Sequence, residues 1–179
     1  MPSPAELKTL GLQLFHAERY DEAAEAFARA AEAFAAESER GPAAEMMNNV
    51  AVVCLARQQW EMALNAAQGT PEIFRALGDK LREAQAIGNV ANALENLNRL
   101  DEAGQKYEQA IDLFSALGEK ENRAACWKAL SNLQIKQDKK LQALASMQAG
   151  LNLAENLSPR EKTLKGLLDK AMKMIGGRS

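Results

Sequence analysis

Residues 98–114 read NRLDEAGQKYEQAIDLF, and residues 18–34 read ERYDEAAEAFARAAEAF. The second stretch is the first written eighty residues earlier, so a period of forty predicts one more copy between them and another beyond. Laying residue n over n+40 finds both. Ala23, Ala63, Ala103 and Ala143 form a column that is identical four times. Three residues before it stand Tyr20, Trp60, Leu100 and Lys140; four after it Phe27, Ala67, Tyr107 and Met147. Further on come Ala30, Thr70, Ala110 and Gly150, then Phe34, Phe74, Phe114 and Ala154. Steps of three, four and seven mark the buried stripe of a helix, B.

A second stripe, helix A, lies upstream. Its columns are Leu7, Met47, Ile87 and Trp127; Leu10, Val50, Val90 and Leu130; the small residues Gly11, Ala51, Ala91 and Ser131; and Leu14, Cys54, Leu94 and Gln134. Each unit is therefore a helical hairpin. Asp21-Glu22 and Asp101-Glu102 place negative charge at the start of B, where free N–H groups and the helix dipole favour it. Gly78 and Gly118 share a column after Ala-Leu and end helix B in the left-handed conformation; Ser38 in that column predicts a different ending for the first unit. Gly69 and Pro71 predict a kink or break near 68–71, with Thr70 capping a fresh helix as one way to form it. Gln134 and Lys140 in apolar columns predict looser packing of the fourth unit. Ser158-Pro159-Arg160-Glu161 reads as a capping box. It opens a terminal helix to about Ile175 with an apolar face of Leu164, Leu167, Leu168, Ala171 and Ile175, ended by Gly176-Gly177. There Leu167, Ala171 and Met174 continue the helix A columns as half a fifth repeat, with Lys162, Lys165, Lys170 and Lys173 outside.

Composition agrees with an all-α chain. Ala, Leu, Glu, Lys and Gln dominate, and β-branched residues are scarce. No run of about 18 uncharged apolar residues exists to span a membrane, and the first residues lack a signal-peptide pattern, so a cytoplasmic protein is expected. The two cysteines, Cys54 and Cys126, make no disulfide framework. A net charge of −2 argues against a general nucleic-acid binder. The charge is uneven: residues 1–120 carry 11 Lys+Arg and 19 Asp+Glu, residues 121–179 carry 11 and 5.

Gly11, Leu14, Tyr20, Ala23, Phe27 and Ala30, and again Ala91, Leu94, Leu100, Ala103, Tyr107 and Ala110, resemble the tetratricopeptide repeat pattern. The forty-residue period is similar to the class in kinesin light chains and the Leu-Gly-Asn adaptor proteins. The resemblance covers nearly the whole chain. It implies a right-handed α-solenoid, with helix A lining a concave groove. The expected organisation is one domain over 1–179, with repeats at 4–41, 42–80, 81–120 and 121–158 and a capping helix at 159–175.

Little catalytic chemistry is present. His16 is the one histidine, and no phosphate loop, nucleophile elbow or zinc motif occurs. No enzyme activity, metal or cofactor is expected, and Cys54 reads as a small buried hydrophobe. The groove columns of helix A are more informative. They hold Asn49, Asn89, Asn92, Asn96 and Asn132, although asparagine is a mediocre helix former. Amides carry both donors and acceptors, so this ladder can grip the backbone of a bound peptide; bridging of neighbouring A helices is the alternative. In the forty-residue proteins this chain resembles, asparagines in these columns do bind peptide backbone. Lys8, Lys128 and Lys136 would add a preference for acidic ligands. A carboxylate clamp for chaperone tails is not expected, because Leu12, Val52, Gly88 and Asn92 depart from that pattern. Leu12, Phe15, Val52 and Leu55 make the N-terminal groove apolar, suited to a helix face or a hydrophobic anchor. The expected function is a non-enzymatic scaffold binding a peptide or helix of another protein, with no nucleic acid and no membrane; a self-associating assembly module is the alternative.

Overall fold

A left-handed residue recurs every twenty positions. Positive φ values fall at Glu18, Ser38, Gln58, Gly78, Asn98, Gly118 and Asp138. At each, the next residue's N–H reaches back five residues to a helix carbonyl, as in Arg19 N to Leu14 O at 2.9 Å, Asp79 N to Phe74 O at 3.0 Å and Lys139 N to Gln134 O at 2.8 Å. This is the Schellman ending, which satisfies carbonyls that a helix terminus leaves open. Ser38 thus ends its helix as the glycines do, with φ 63°; the different ending expected there does not occur. A non-glycine residue bears a cost of about 1–2 kcal/mol in this conformation, so only Gly78 and Gly118 were visible as stops in the sequence.

These turns separate the helices of the computed structural model, which describes residues 2–176. They are α1 (Pro4–His16), α2 (Tyr20–Ala36), α3 (Arg40–Ala56), α4 (Trp60–Ala67), α5 (Thr70–Leu77), α6 (Lys80–Asn96), α7 (Leu100–Leu117), α8 (Lys120–Lys136), α9 (Lys140–Leu153) and α10 (Pro159–Gly176). No strand occurs among the described residues, and the fold is all-α. Two compact units divide within α7, Met1–Lys106 and Tyr107–Ser179.

In the first unit α1 packs on α2, α2 on α3, α3 on α4 and α5, and these two on α6. Leu7, Leu14, Ala23, Ala26, Phe27 and Ala30 form one core with Met46 and Val53 of the next hairpin. Gly11 is needed there: a Cβ on it would lie 2.6 Å from the ring of Phe27, itself 2% exposed. Phe74 is buried with Ala44 of its own hairpin and Ala86 of the following one. Glu83, 6% exposed, is paired with Arg75 across α5 and α6 at 2.7 Å. The helix break appears as expected, but by different chemistry. Gly69 is the N-cap, Pro71 sits in the first turn of α5, and the buried Thr70 hydroxyl donates back to the Ala67 carbonyl at 2.8 Å. Thr70 therefore closes the end of α4 rather than capping α5.

In the second unit α8 pairs with α9, and α10 packs on α9. Ser131 donates to the carbonyl of Ala143 at 2.8 Å, so the small column of helix A meets the alanine column of helix B. Gln134 does not leave a loose spot. It is buried, and its Oε1 accepts from the Ser146 hydroxyl at 2.8 Å. The capping box opens α10: Ser158 N donates to Glu161 Oε2 at 2.8 Å and Glu161 N to Ser158 Oγ at 3.3 Å. The Ser158 hydroxyl, which donates to Glu161 Oε2 at 2.6 Å, and the Ser158 N–H hold the Glu161 carboxyl below its ordinary range. Ser3 and Glu6 form the same box at α1.

The register expected for α10 fails. Leu167 and Met174, in the columns of Leu7 and Leu14, are 60% and 74% exposed, while Leu168, in the column of Lys8, is 4% exposed. The reason lies in two buried columns not read from the sequence, Met46, Ala86 and Cys126, and Val53, Ala93 and Leu133. At these positions α10 has Gly166 and Lys173. A lysine ammonium is not buried unpaired, so the helix turns Leu168 inward instead. Of the face expected for this helix, the Ile175 side chain and the stop residue Gly177 lie outside the described residues.

Two glycines inside A helices separate packing from propensity. Gly11→Ala should lower stability by about 1–3 kcal/mol through overpacking on Phe27. Gly88→Ala, with no atom within 4 Å of the added carbon, should raise it by about 0.5–1 kcal/mol. Urea unfolding of both variants checks the opposite signs. For the buried polar pair, Ser146→Ala should cost about 1–3 kcal/mol by leaving the Gln134 amide unsatisfied. Gln134→Leu/Ser146→Ala should recover most of that loss, and a double variant as unstable as the single one would contradict it.

Candidate functional site

The A helices of the first unit present α1, α3 and α6 side by side, and ion pairs connect their N-terminal halves. Lys8 Nζ lies 2.6 Å from Glu45 Oε1, Arg82 lies 3.4 Å from Glu45 Oε2, and Arg82 lies 2.5 Å from Asp79 Oδ2. Lys8 is thus paired with Glu45 while remaining partly exposed. These pairs are partly solvated and contribute little to stability, about 0–1 kcal/mol each. Asn89 Nδ2 donates to Asn48 Oδ1 at 3.0 Å, bridging α6 to α3. Asn96 Nδ2 donates to Asn92 Oδ1 at 2.8 Å and to the Asn92 carbonyl at 2.9 Å along α6. Asn49 is half-buried, and Asn92 and Asn96 are exposed. A primary amide has four hydrogen-bonding positions, so these bonds orient the side chains without exhausting them.

The four apolar groove residues do not behave alike. Leu12 is 41% exposed. Phe15 is half-buried against the first core, its ring 5.6 Å from that of Tyr20, so part of its surface belongs to the fold. Val52 and Leu55 are half-buried on α3.

The second unit has a distinct feature, a cleft of about 280 Å³ between α8, α9 and α10. Lys128 and Asn132 stand at it, one helical turn apart on α8. Lys136 is exposed two turns on from Lys128, and does not line it. Of the remaining walls, Ala124, Ala125 and Leu151 were not singled out in the sequence, whereas Ser131, Met147, Gly150 and Ala154 belong to the core columns, Leu164 to the apolar face of the terminal helix and Glu161 to its capping box. A signal was present. Ala154 stands in the column of Phe34, Phe74 and Phe114, and Ala124 in the column of Ala44, which Phe74 covers. The cleft lies where that aromatic ring is missing. Helix α9 also ends early, at 14 residues against 17 for α2 and 18 for α7, with Ala154 already extended at ψ 124°.

The thiols have no reactive setting. Cys54 and Cys126 are free and buried, and burial pushes Cys54 up and Cys126 up to about 11. Among the described residues no group of His, Cys, Asp and Glu is arranged to hold a metal ion, and no helix is long and apolar enough to cross a membrane.

The helical hairpins, with aligned buried columns, define a protein of the tetratricopeptide-like helical-repeat class. The crystal structure of BtubC (BKLC) from P. vanneervenii shares this fold with a TM-score of 0.69 over 93% of this chain, at 18% identity. The chain spans 64% of the length of that protein. No curated protein matches. The profile of the soluble NSF attachment protein (SNAP) family matches residues 13–155, and the chain belongs to that family.

The Cys126 shift carries a sign. The folded pKa lies above the ordinary thiol value, so its contribution is complete below that value and is lost as pH rises through about 11. Alkylation with iodoacetamide near pH 9 should label the native cysteines far more slowly than the urea-unfolded chain; equal rates would place the thiols at the surface.

Proposed function

We propose that this chain is a non-enzymatic interaction scaffold, acting in the cytoplasm as a single repeat domain over 1–179. It holds a segment of another protein against its A helices. The observation that carries this reading is the set of amides on the A helices of the first unit, Asn49, Asn89, Asn92 and Asn96, in which Asn89 and Asn92 are held by neighbouring amides; Asn132 offers the same chemistry on α8 of the second unit. Amides so oriented suit the N–H and C=O groups of a bound main chain. Lys128 and Lys136 favour acidic residues in that segment, in keeping with the basic balance of residues 121–179. The forty-residue period supports the subclass of kinesin light chains and Leu-Gly-Asn adaptors. Family membership supports a protein partner, since the family is named for attachment to NSF.

Exposed Leu10 and Leu12 on α1, 43% and 41% accessible, favour a second reading, self-association through the N-terminal hairpin. Sedimentation equilibrium across a concentration series separates the two, because a strict monomer removes the second. For the first, peptides selected by the full chain from a displayed random library provide the probe. Asn89→Ala/Asn92→Ala should weaken a selected peptide by roughly ten- to thirtyfold, as loss of two hydrogen bonds of about 1 kcal/mol each implies. Unchanged affinity in a folded variant would remove these asparagines from the binding face.

A further inference from the structure

We propose that the cleft of the second unit is an anchor pocket. It receives one large apolar side chain, of phenylalanine or leucine size, from an acidic segment of the partner. The inference rests on the scaffold reading above and assigns the contact to particular atoms. In the second hairpin Phe74 is 2% exposed and lies against Ala44 and Ala86. In the last hairpin the equivalent of Ala44 is Ala124, and the residue in the phenylalanine column is Ala154; both line the cleft. The small partner has been kept and the large one removed.

The rotated α10 does not make good the loss. Its Leu164 reaches the cleft but stays 38% exposed, and about 280 Å³ of space remains. An open cleft of this size leaves its apolar walls in water, which an inserted apolar side chain would displace. Ala124, Met147, Leu151, Ala154 and Leu164 give the cleft apolar walls, and Lys128, Ser131, Asn132 and Glu161 add polar groups to the lining. Such a pocket rewards one apolar anchor, which is where the energy of a protein contact concentrates. Lys128 and Glu161 both line the cleft and offset each other, so the positive field around the site comes from the excess of Lys and Arg over Asp and Glu in residues 121–179. A carboxylate next to the anchor therefore complements the site, and a second basic residue there does not.

The test fills the pocket from inside. Ala154→Phe restores the column, should raise Tm by a few degrees, and should weaken binding of a library-selected peptide at least tenfold. Lys128→Gln should change Tm little, since it removes only a solvated attraction to Glu161, and weaken the same peptide several-fold. The selected peptides should share an apolar anchor beside Asp or Glu, and replacing that anchor by Ala should abolish binding. A lowered Tm for Ala154→Phe would show that no ring fits there and overturns the proposal. So would wild-type affinity of Ala154→Phe, or selected peptides without an anchor. A peptide lost from Asn89→Ala/Asn92→Ala but retained by Ala154→Phe sinks the pocket and leaves the scaffold reading standing. If no peptide is selected by any variant, both fall. A dimer of the wild-type chain that Ala154→Phe dissociates would make a second copy the occupant, against the proposal.

Discussion

The close approach of helix A to helix B is the constraint on which the hairpins depend. Ala23, Ala63 and Ala103 are completely buried and Ala143 is 3% exposed. Opposite them the helix A column admits only Gly11, Ala51, Ala91 and Ser131. At this spacing a larger side chain overpacks, at a cost of about 1–3 kcal/mol. The large residues are pushed to the flanks of the crossing, where Leu7, Phe27, Leu14 and their equivalents fill the space. Small residues at the crossing and large ones beside it thus follow from one geometric demand. In repeat proteins each hairpin is stabilised chiefly by its neighbours, so the demand recurs at every forty residues.

A hairpin also has to reverse direction, and here the chain uses one solution throughout. Each described turn from residue 18 to 138 has its left-handed residue and its five-residue hydrogen bond. Glycine removes the steric cost at 78 and 118; asparagine and aspartate bear it at 98 and 138 because their short polar side chains tolerate this region. Glu18, Ser38 and Gln58 have no such excuse, and the tertiary packing of the flanking columns holds them there. Local sequence is therefore a weak guide to these turns, while the spacing of the columns on either side fixes their position.

That contrast explains how much was legible. The alanine column, the small column, the break at 68–71 and the capping box at 158–161 are properties of residue type at a fixed spacing, and they could be read directly. The contacts between hairpins were harder. Met46, Ala86 and Cys126 vary in size and share no obvious character, so their column does not announce itself; without it, Leu167 and Met174 of α10 were placed in the core by period alone. The candidate site was only partly visible for the same kind of reason. Asparagines on an exposed face are conspicuous, but the bond from Asn89 to Asn48 and the pairing of Lys8 with Glu45 depend on which A helices lie side by side. Gln134 looked like a defect because its partner, Ser146, is on the other helix.

The departures from the pattern at the end of the chain have a common origin. A following A helix is seated by the phenylalanine of the preceding B helix, as Phe74 seats Ala86. Ala154 provides no such ring, and α9 has already lost its helical geometry at that residue. A helix arriving after it finds no aromatic to pack against and has Gly166 and Lys173 where apolar residues would be required. It docks instead through Leu168 and, in part, Leu164, held at its start by Ser158 and Glu161 and along its length by the 2.6 Å bond from Gln148 to Asp169. A leucine on a rotated helix cannot occupy the volume of a phenyl ring on an unrotated one. The exposed stripe on α10 and the cleft beneath it are then two consequences of one missing side chain, and the repeat stops where its seating residue does.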